Sequence, residues 1–145
     1  MWKNKKALLL LLITLLWLGF IFFQSAQPAS VSRQASGVVL EQVQKVIPNA
    51  TVTPLRKSAH LFEFFVLGLL LALTCRGLGG KTLLPPLAAG LFAALCDETI
   101  QIFSNGRSAE IPDVWIDFGG VLLGTLVMEA VRKIYLQRKN AEKKS

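Results

Sequence analysis

The segment "RKSAHLFEFFVLGLLLALTC" (residues 56–75) combines the pattern of a transmembrane helix with a group of polar residues. Its second half is almost entirely apolar, as in a helix that crosses a membrane, whereas its first half carries two adjacent cations, the only histidine of the chain and Glu63. A bilayer span needs about 20 mostly apolar residues, and this segment reaches that length only when Lys57–Phe64 is included. The polar residues therefore lie within the predicted span or at its edge. Their role depends on where the other polar residues of the chain lie.

Three further apolar segments occur in the chain, which makes four in all. Hydrophobic residues account for 52% of the 145 residues, and they are gathered in these segments rather than dispersed. Because backbone polar groups in lipid must be hydrogen-bonded within the chain, we expect each segment to be a helix. The sequence therefore predicts an all-α polytopic membrane protein, a bundle of four transmembrane helices. The predicted apolar segments are Ala7–Phe23, Leu61–Cys75, Leu83–Phe103 and Val114–Val131.

The distribution of charge predicts the orientation of this bundle. With four spans, both termini and the turn at 76–82 lie on one side of the membrane, and that side carries eleven of the sixteen lysines and arginines. The positive-inside rule makes this side cytoplasmic, so we expect a multi-pass plasma-membrane protein with both termini in the cytoplasm. The net charge of +7 is thus a topology signal. No interleaved basic and aromatic pattern is present, and nucleic acid is not an expected partner.

The chain divides into three parts along its length. Within the long connection at 24–55, "SGVVLEQVQKVIPN" (36–49) spaces apolar residues at helical intervals and ends near Pro48. This pattern is typical of a short amphipathic helix on the extracytoplasmic surface, or of a partly ordered loop. The first apolar segment is longer than the core of a signal peptide, so we expect it to be retained. The parts are 1–55, the first span and its extracytoplasmic loop; 56–132, a three-helix core; and 133–145, a cytoplasmic basic tail.

Polar side chains share one face on each of the last three predicted helices. At 1.5 Å per residue, Glu63 lies about 9 Å inward from Lys57, and Asp97 and Asp117 lie at comparable depths on their helices. Because the helices alternate in direction, these residues meet at one level just beneath the outer surface. On the last helix, Gly120 shares this face with Gly124, so another helix can approach closely. The candidate pocket residues are Arg56, Lys57, His60, Glu63, Asp97, Glu98, Gln101, Arg107, Asp113 and Asp117.

The cost of burying charge favours a shared site over scattered ones. An unpaired charge at the centre of a span costs about 2.5–3.5 kcal/mol, so grouped acids and cations either face a common cavity or simply hold the helices together by pairing. Side chains that could bind a metal are present. Because the chain has one histidine and no ligand spacing of a known metal-binding motif, we assign no metal site. We also expect no cofactor, since no P-loop, metalloprotease or serine-hydrolase motif occurs. The residues that could supply metal ligands are His60, Glu63, Asp97, Glu98 and Asp117.

At these polar residues the chain resembles the VanZ-like family of bacterial membrane proteins. The resemblance covers the last three predicted spans and nothing before Arg56, and it implies that all ten candidate residues match the family's polar pattern. At the position of Asp117 the family often carries asparagine. The family's namesake is linked to resistance to teicoplanin, a lipidated glycopeptide that acts at the outer membrane face. The motifs are "RKSAHLFEFFVLG" (56–68), "DETIQIF" (97–103), "GRSAEIPD" (106–113) and "DFGGVLLG" (117–124).

Three hypotheses for the function follow. The first is a protein of a Gram-positive-type plasma membrane whose outward-facing pocket binds the head group of a membrane lipid or lipid-linked cell-wall precursor, or a glycopeptide antibiotic. Arg56, Lys57 and Arg107 would then hold phosphate or carboxylate groups. The second is a membrane-embedded hydrolase or transferase acting on the same substrates, with Glu63 or Asp97 as the base. The third is a structural subunit of a larger membrane assembly.

Overall fold

The computed structural model describes residues 2–107 and 110–142, and in these ranges the chain contains helices and no strand. The predicted all-α class is therefore confirmed. The turn residues 108–109 and residues 143–145 of the predicted tail lie outside the described part. The five helices are α1 (Trp2–Ser25), α2 (Ala29–Gln44), α3 (Val52–Gly77), α4 (Leu84–Ile102) and α5 (Ile111–Glu142).

Three of the helices are long and apolar enough to cross a membrane. They are Lys5–Ser25 within α1, Val52–Gly77 and Ile111–Glu142. The remaining apolar segment forms α4, whose 19 residues correspond to a length of about 28 Å. α4 is not among the three, and it has two prolines at its start and the polar residues Asp97, Glu98 and Gln101 near its end. All four predicted segments are thus helical, while the count of four spans stays a prediction.

The membrane-length helices extend beyond the apolar runs that predicted them. α3 begins at Val52, so Arg56 and His60 belong to the same continuous helix as the apolar run. Pro54 lies in its first turn, where a backbone N–H has no helical partner to lose. α5 continues to Glu142, so most of the segment predicted as a basic tail is a helical extension.

α3 and α5 pack most closely, and glycines permit the contact. A methyl group added to Gly120 would meet the carbonyl oxygen of Leu61, and one added to Gly124 would meet that of Phe65. Without side chains at these positions, the two backbones touch. The close approach predicted for this glycine face is confirmed, with α3 as the partner helix.

α1 and α4 complete the bundle around this pair. The hydroxyl groups of Thr14 and Thr74 are 2.9 Å apart, and the indole N–H of Trp17 donates to the carbonyl oxygen of Glu63 at 3.0 Å. These bonds join the middle of α1 to α3, and Gln24 near the C-terminus of α1 lies close to Glu63 in the polar part of α3. The buried core residues come from all four helices: Ile21, Phe64, Leu67, Ala93, Ala94 and Val121.

α2 is the helix that the sequence predicted within the long connection, although its bounds differ. It runs from Ala29 to Gln44, so it starts seven residues earlier than the quoted pattern and stops before Pro48. The N–H of Ala29 donates to the carbonyl oxygen of Asn105 at 3.0 Å, which ties the start of α2 to the turn after α4. The alternative prediction of a partly ordered loop is therefore wrong for Ala29–Gln44. The side of the membrane on which α2 lies stays a prediction.

Candidate functional site

A polar cavity of about 240 Å³ lies among α2, the first turns of α3, the end of α4 and the start of α5. Helical spacing on α3, the parallel course of α5 and the opposite course of α4 bring side chains from distant parts of the sequence to its wall. Seven of the ten predicted residues line it: Arg56, Lys57, His60, Gln101, Arg107, Asp113 and Asp117.

Lys57 is the one cation of this wall that has carboxylate partners among the described residues. Its Nζ lies 2.6 Å from a carboxylate oxygen of Asp113 and 3.4 Å from one of Glu110. Both partners come from the start of α5 or the residue before it, so the pair connects α3 to α5 at the rim of the cavity. All three side chains remain partly exposed to solvent. Lys57 therefore has less capacity left to bind an external anion than the arginines nearby.

His60, Asp97 and Asp117 form a cluster at the wall of the polar cavity, each supplied by a different helix. The Nδ1 atom of His60 lies 3.8 Å from Oδ2 of Asp97 and 3.8 Å from Oδ1 of Asp117. The exposed fractions of the two aspartate side chains are 0% and 2%, and that of the histidine is 21%. Separations of 3.8 Å are too long for hydrogen bonds. The three groups face one another without direct contact.

Asp97 and Glu98 lie behind this wall and are connected by Gln101. The side-chain amide of Gln101 donates to Oδ2 of Asp97 at 3.0 Å and to Oε2 of Glu98 at 3.4 Å. The other oxygen of Glu98 accepts the backbone N–H of Glu110. Gln101 thereby orients Asp97, while Glu98 holds the end of the turn that precedes α5. Glu98 is thus a structural support for the cavity and does not line it.

A second cavity of about 260 Å³ lies on the other side of α3, between α2 and the end of α1. Glu63 lines this second cavity rather than the polar one. Its wall also includes apolar side chains of α2 and α3, among them Val31, Val39 and Leu55. Arg56, His60 and Arg107 line both cavities.

Arg107, in the turn after α4, is one of the three residues that the two cavities share. One of its terminal nitrogens donates to the carbonyl oxygen of Gln24 at 3.4 Å. Its Nε and Nη1 atoms are buried and have no hydrogen-bond partner among the described residues. Burial, followed by the nearby charge of Arg56, lowers the pKa of Arg107 from its ordinary value. A guanidinium in this position would be stabilised by an anion between the two arginines.

The family model described as VanZ/LLP1 matches residues 10–132. The chain belongs to the VanZ/LLP1 family. No curated protein matches the chain, and no solved structure matches it either. The family match begins well before Arg56, so the resemblance confined to the last three predicted spans was too narrow. In this VanZ/LLP1 chain, α2 and the last two thirds of α1 belong to the matched region.

Two charged residues of the polar cavity in this VanZ/LLP1 protein were missed by sequence reasoning. Arg33 lines the cavity from α2, and the sequence offered no reason to bring it there because its surroundings are polar and show no helical apolar pattern. Glu110 also lines it and pairs with Lys57. Glu110 lies inside one of the quoted family motifs, and its position three residues before Asp113 was an available signal.

Proposed function

We propose that this VanZ/LLP1 protein binds the anionic head group of a membrane lipid or lipid-linked cell-wall precursor in the polar cavity. The observation that carries the proposal is the pair of arginines, Arg56 and Arg107, which face the cavity without a carboxylate partner in the part of the chain that the structure describes. Neither guanidinium is engaged in an ion pair among the described residues, so both can contact an external anion.

The chemistry of the guanidinium group supports a phosphate or carboxylate ligand. A guanidinium presents a planar fork of N–H donors that matches either anion, and such charge-assisted hydrogen bonds are about twice as strong as neutral ones. Arg33 adds a third cation to the wall. Lys57, by contrast, is already paired with Asp113 and Glu110. The guanidinium groups therefore bind the anion in this proposal, and Lys57 shapes the rim.

The sizes of the two cavities support a head group rather than a whole lipid. A volume of about 240 Å³ is below the range of roughly 300–1,000 Å³ that is typical of complete small-molecule sites. The second cavity has about the same volume and a wall containing Val31, Val39 and Leu55. The head group of the lipid occupies the polar cavity. The first carbons of its hydrocarbon chain lie in the second cavity, beyond Arg56 and Arg107.

The proposed orientation places this ligand in the outer leaflet. α4 is the fourth crossing, since its length of about 28 Å is close to the roughly 30 Å of a bilayer core. Both termini then lie on the cytoplasmic side of a bacterial plasma membrane, α2 lies on the outer surface, and the polar cavity opens away from the cytosol. The concentration of basic residues near the termini and in the 76–82 turn supports this arrangement.

The first prediction is that Arg107→Ala abolishes retention of anionic lipid by the purified protein. The change removes the guanidinium between the two cavities, and each lost charge-assisted hydrogen bond contributes about 1.5–3 kcal/mol. Native mass spectrometry of protein purified in mild detergent, then supplied with phosphatidylglycerol or a polyprenyl phosphate, measures the bound fraction. At least a tenfold loss is expected, with no binding of phosphatidylcholine by either protein.

The matched control is Arg138→Ala, which removes the same charge from an exposed position near the end of α5. Equal lipid retention by both variants would contradict the anion-binding role. Release of a hydrolysed or transferred product, lost in Glu63→Gln, would instead indicate the enzymatic alternative. In cells, expression of the unaltered protein is expected to raise tolerance to teicoplanin, and the Arg107→Ala protein is expected not to.

A further inference from the structure

The cluster of His60, Asp97 and Asp117 has a geometry that anion binding does not explain. One ligating atom from each residue lies within 4.8 Å of the other two, and the two separations from Nδ1 of His60 are both 3.8 Å. The three residues belong to α3, α4 and α5 respectively. Three helices thus direct one nitrogen and two carboxylates at a common point.

Both aspartates carry buried oxygens that nothing in the described chain satisfies. Neither side-chain oxygen of Asp117 has a hydrogen-bond partner among the described residues, and the same holds for Oδ1 of Asp97. Their side chains are 98% or more withdrawn from solvent. An unpaired buried carboxylate costs several kcal/mol, and an imidazole 3.8 Å away does not remove that cost. A cation placed among the three groups would.

We propose that His60, Asp97 and Asp117 bind a divalent metal ion of the zinc or manganese class. Two ligands on an ion with bonds of about 2.1 Å lie roughly 3–4 Å apart, depending on the angle between them, and the observed 3.8 Å separations fall in that range. One imidazole nitrogen with two carboxylates suits zinc and manganese, because imidazole favours zinc and carboxylate favours manganese. The two carboxylate charges balance a divalent ion.

The surroundings of the cluster match those of a metal site with open positions. The amide of Gln101 donates to Oδ2 of Asp97 at 3.0 Å, which orients this carboxylate in the way that outer partners orient metal ligands. His60 and Asp117 also line the polar cavity. The remaining coordination positions of the ion therefore face the cavity, where water or an anionic oxygen completes the shell. Three protein ligands suffice to hold the ion, so this inference does not require the proposed head-group function.

Metal binding by the purified protein tests the proposal. Protein with its affinity tag removed is treated with a chelator, returned to detergent buffer and titrated with Zn²⁺ and with Mn²⁺ by calorimetry, and the bound metal is then counted by plasma mass spectrometry. One ion of at least one of these metals per chain is expected, together with a rise in melting temperature. Absence of saturable binding of both ions would overturn the proposal, and so would equal binding of Mg²⁺ and Ca²⁺.

Variants separate this site from other acidic groups and from the proposed function. Asp117→Asn and His60→Ala are each expected to weaken metal affinity at least tenfold. Asp113→Asn is the matched control, since Asp113 lies one turn earlier on α5, lines the same cavity and pairs with Lys57. Unchanged affinity in both ligand variants, or equal weakening in the control, would refute the site. The Arg107→Ala protein is expected to bind the metal but not the lipid. The two measurements therefore test the metal site and the proposed lipid binding separately.

Discussion

The side chain of His60 acquires its role from residues on two later helices. Periodicity along α3 places it on one face with Arg56, and depth arguments place Asp97 and Asp117 at the same level. Which charges pair cannot be read from periodicity. Lys57 pairs with Asp113, whereas Arg56 has no ion pair within the described ranges, although the two residues are adjacent. A difference of one position rotates a side chain by about 100° around a helix, and only the packing of the neighbouring helix decides what it meets.

A second ionic cluster, at the other end of the bundle, has a different character. Glu129 accepts hydrogen bonds from Nε of Arg76 at 2.6 Å and from two nitrogens of Arg132 at 3.1 and 2.9 Å. Its side chain is 8% exposed, and both its oxygens are satisfied. In the sequence, Glu129 is an isolated acid near the end of the last apolar segment. The structure makes it the ionic connection between the end of α3 and α5.

Replacing Glu129 with alanine is expected to lower the free energy of unfolding by about 1.5–3 kcal/mol, the range for a hydrogen bond to a charged group. The reason is that Arg76 loses its carboxylate partner at a contact between two helices. Thermal unfolding in detergent, followed by circular dichroism, measures the change. Glu142→Ala removes the same group from an exposed position on the same helix and is expected to change little. Equal effects of the two substitutions would show that the cluster contributes nothing specific.

At the scale of elements, the contact between α3 and α5 sets the shape of the site. Because the glycines of α5 have no side chain, the backbones touch at Leu61 and Phe65. This contact aligns Asp117, one turn before Gly120, with His60, one turn before Phe64. A wider separation of the two helices would move the carboxylate away from the imidazole. The close packing of the apolar part therefore determines the geometry of the polar part.

Gly120→Ala is expected to destabilise the protein by about 1–3 kcal/mol, as overpacking typically does. The added methyl group would meet backbone atoms of α3, which cannot move aside as a flexible side chain can. Melting temperature, followed by the fluorescence of the three tryptophans, checks this prediction.

The neighbouring Gly119 provides a matched control, because nothing lies within 4 Å of a methyl group added there. Gly119→Ala is expected to be neutral or to stabilise α5 slightly, since alanine favours helix by roughly 1 kcal/mol over glycine. Comparable destabilisation by both substitutions would mean that the close contact of α3 with α5 is not what the glycine provides.

For the whole molecule, orientation decides which leaflet the polar cavity faces. The cavity lies among the start of α3, the end of α4 and the start of α5, so it opens at one end of the bundle. The basic residues near both termini and in the 76–82 turn gather toward the other end. The same protein with the opposite orientation would present its cavity to the cytoplasm, and its ligands would be different.

Cysteine labelling in intact cells is expected to place Asn49 outside and Lys139 inside. Both positions are exposed, and each is replaced singly by cysteine in a variant that lacks Cys75 and Cys96. A membrane-impermeant maleimide should label Asn49→Cys at once and Lys139→Cys only after permeabilisation, because the basic end of the bundle is retained in the cytoplasm. The reverse pattern would remove the basis for an outer-leaflet ligand.

Sequence patterns alone predict the helical class, the four apolar segments and the common depth of the ionic residues. These properties depend on composition and on the 3.6-residue period of a helix, which act along one element at a time. Three features follow only from the tertiary structure. They are the division into two cavities, the position of Glu63 in the wall of the second cavity and that of Arg33 in the wall of the polar cavity. The tertiary structure also set the early start of α2, whose first turn is held by a bond from Ala29 to the turn after α4. Such contacts depend on how each helix is rotated against its neighbours, and that rotation is set by packing between residues distant in sequence.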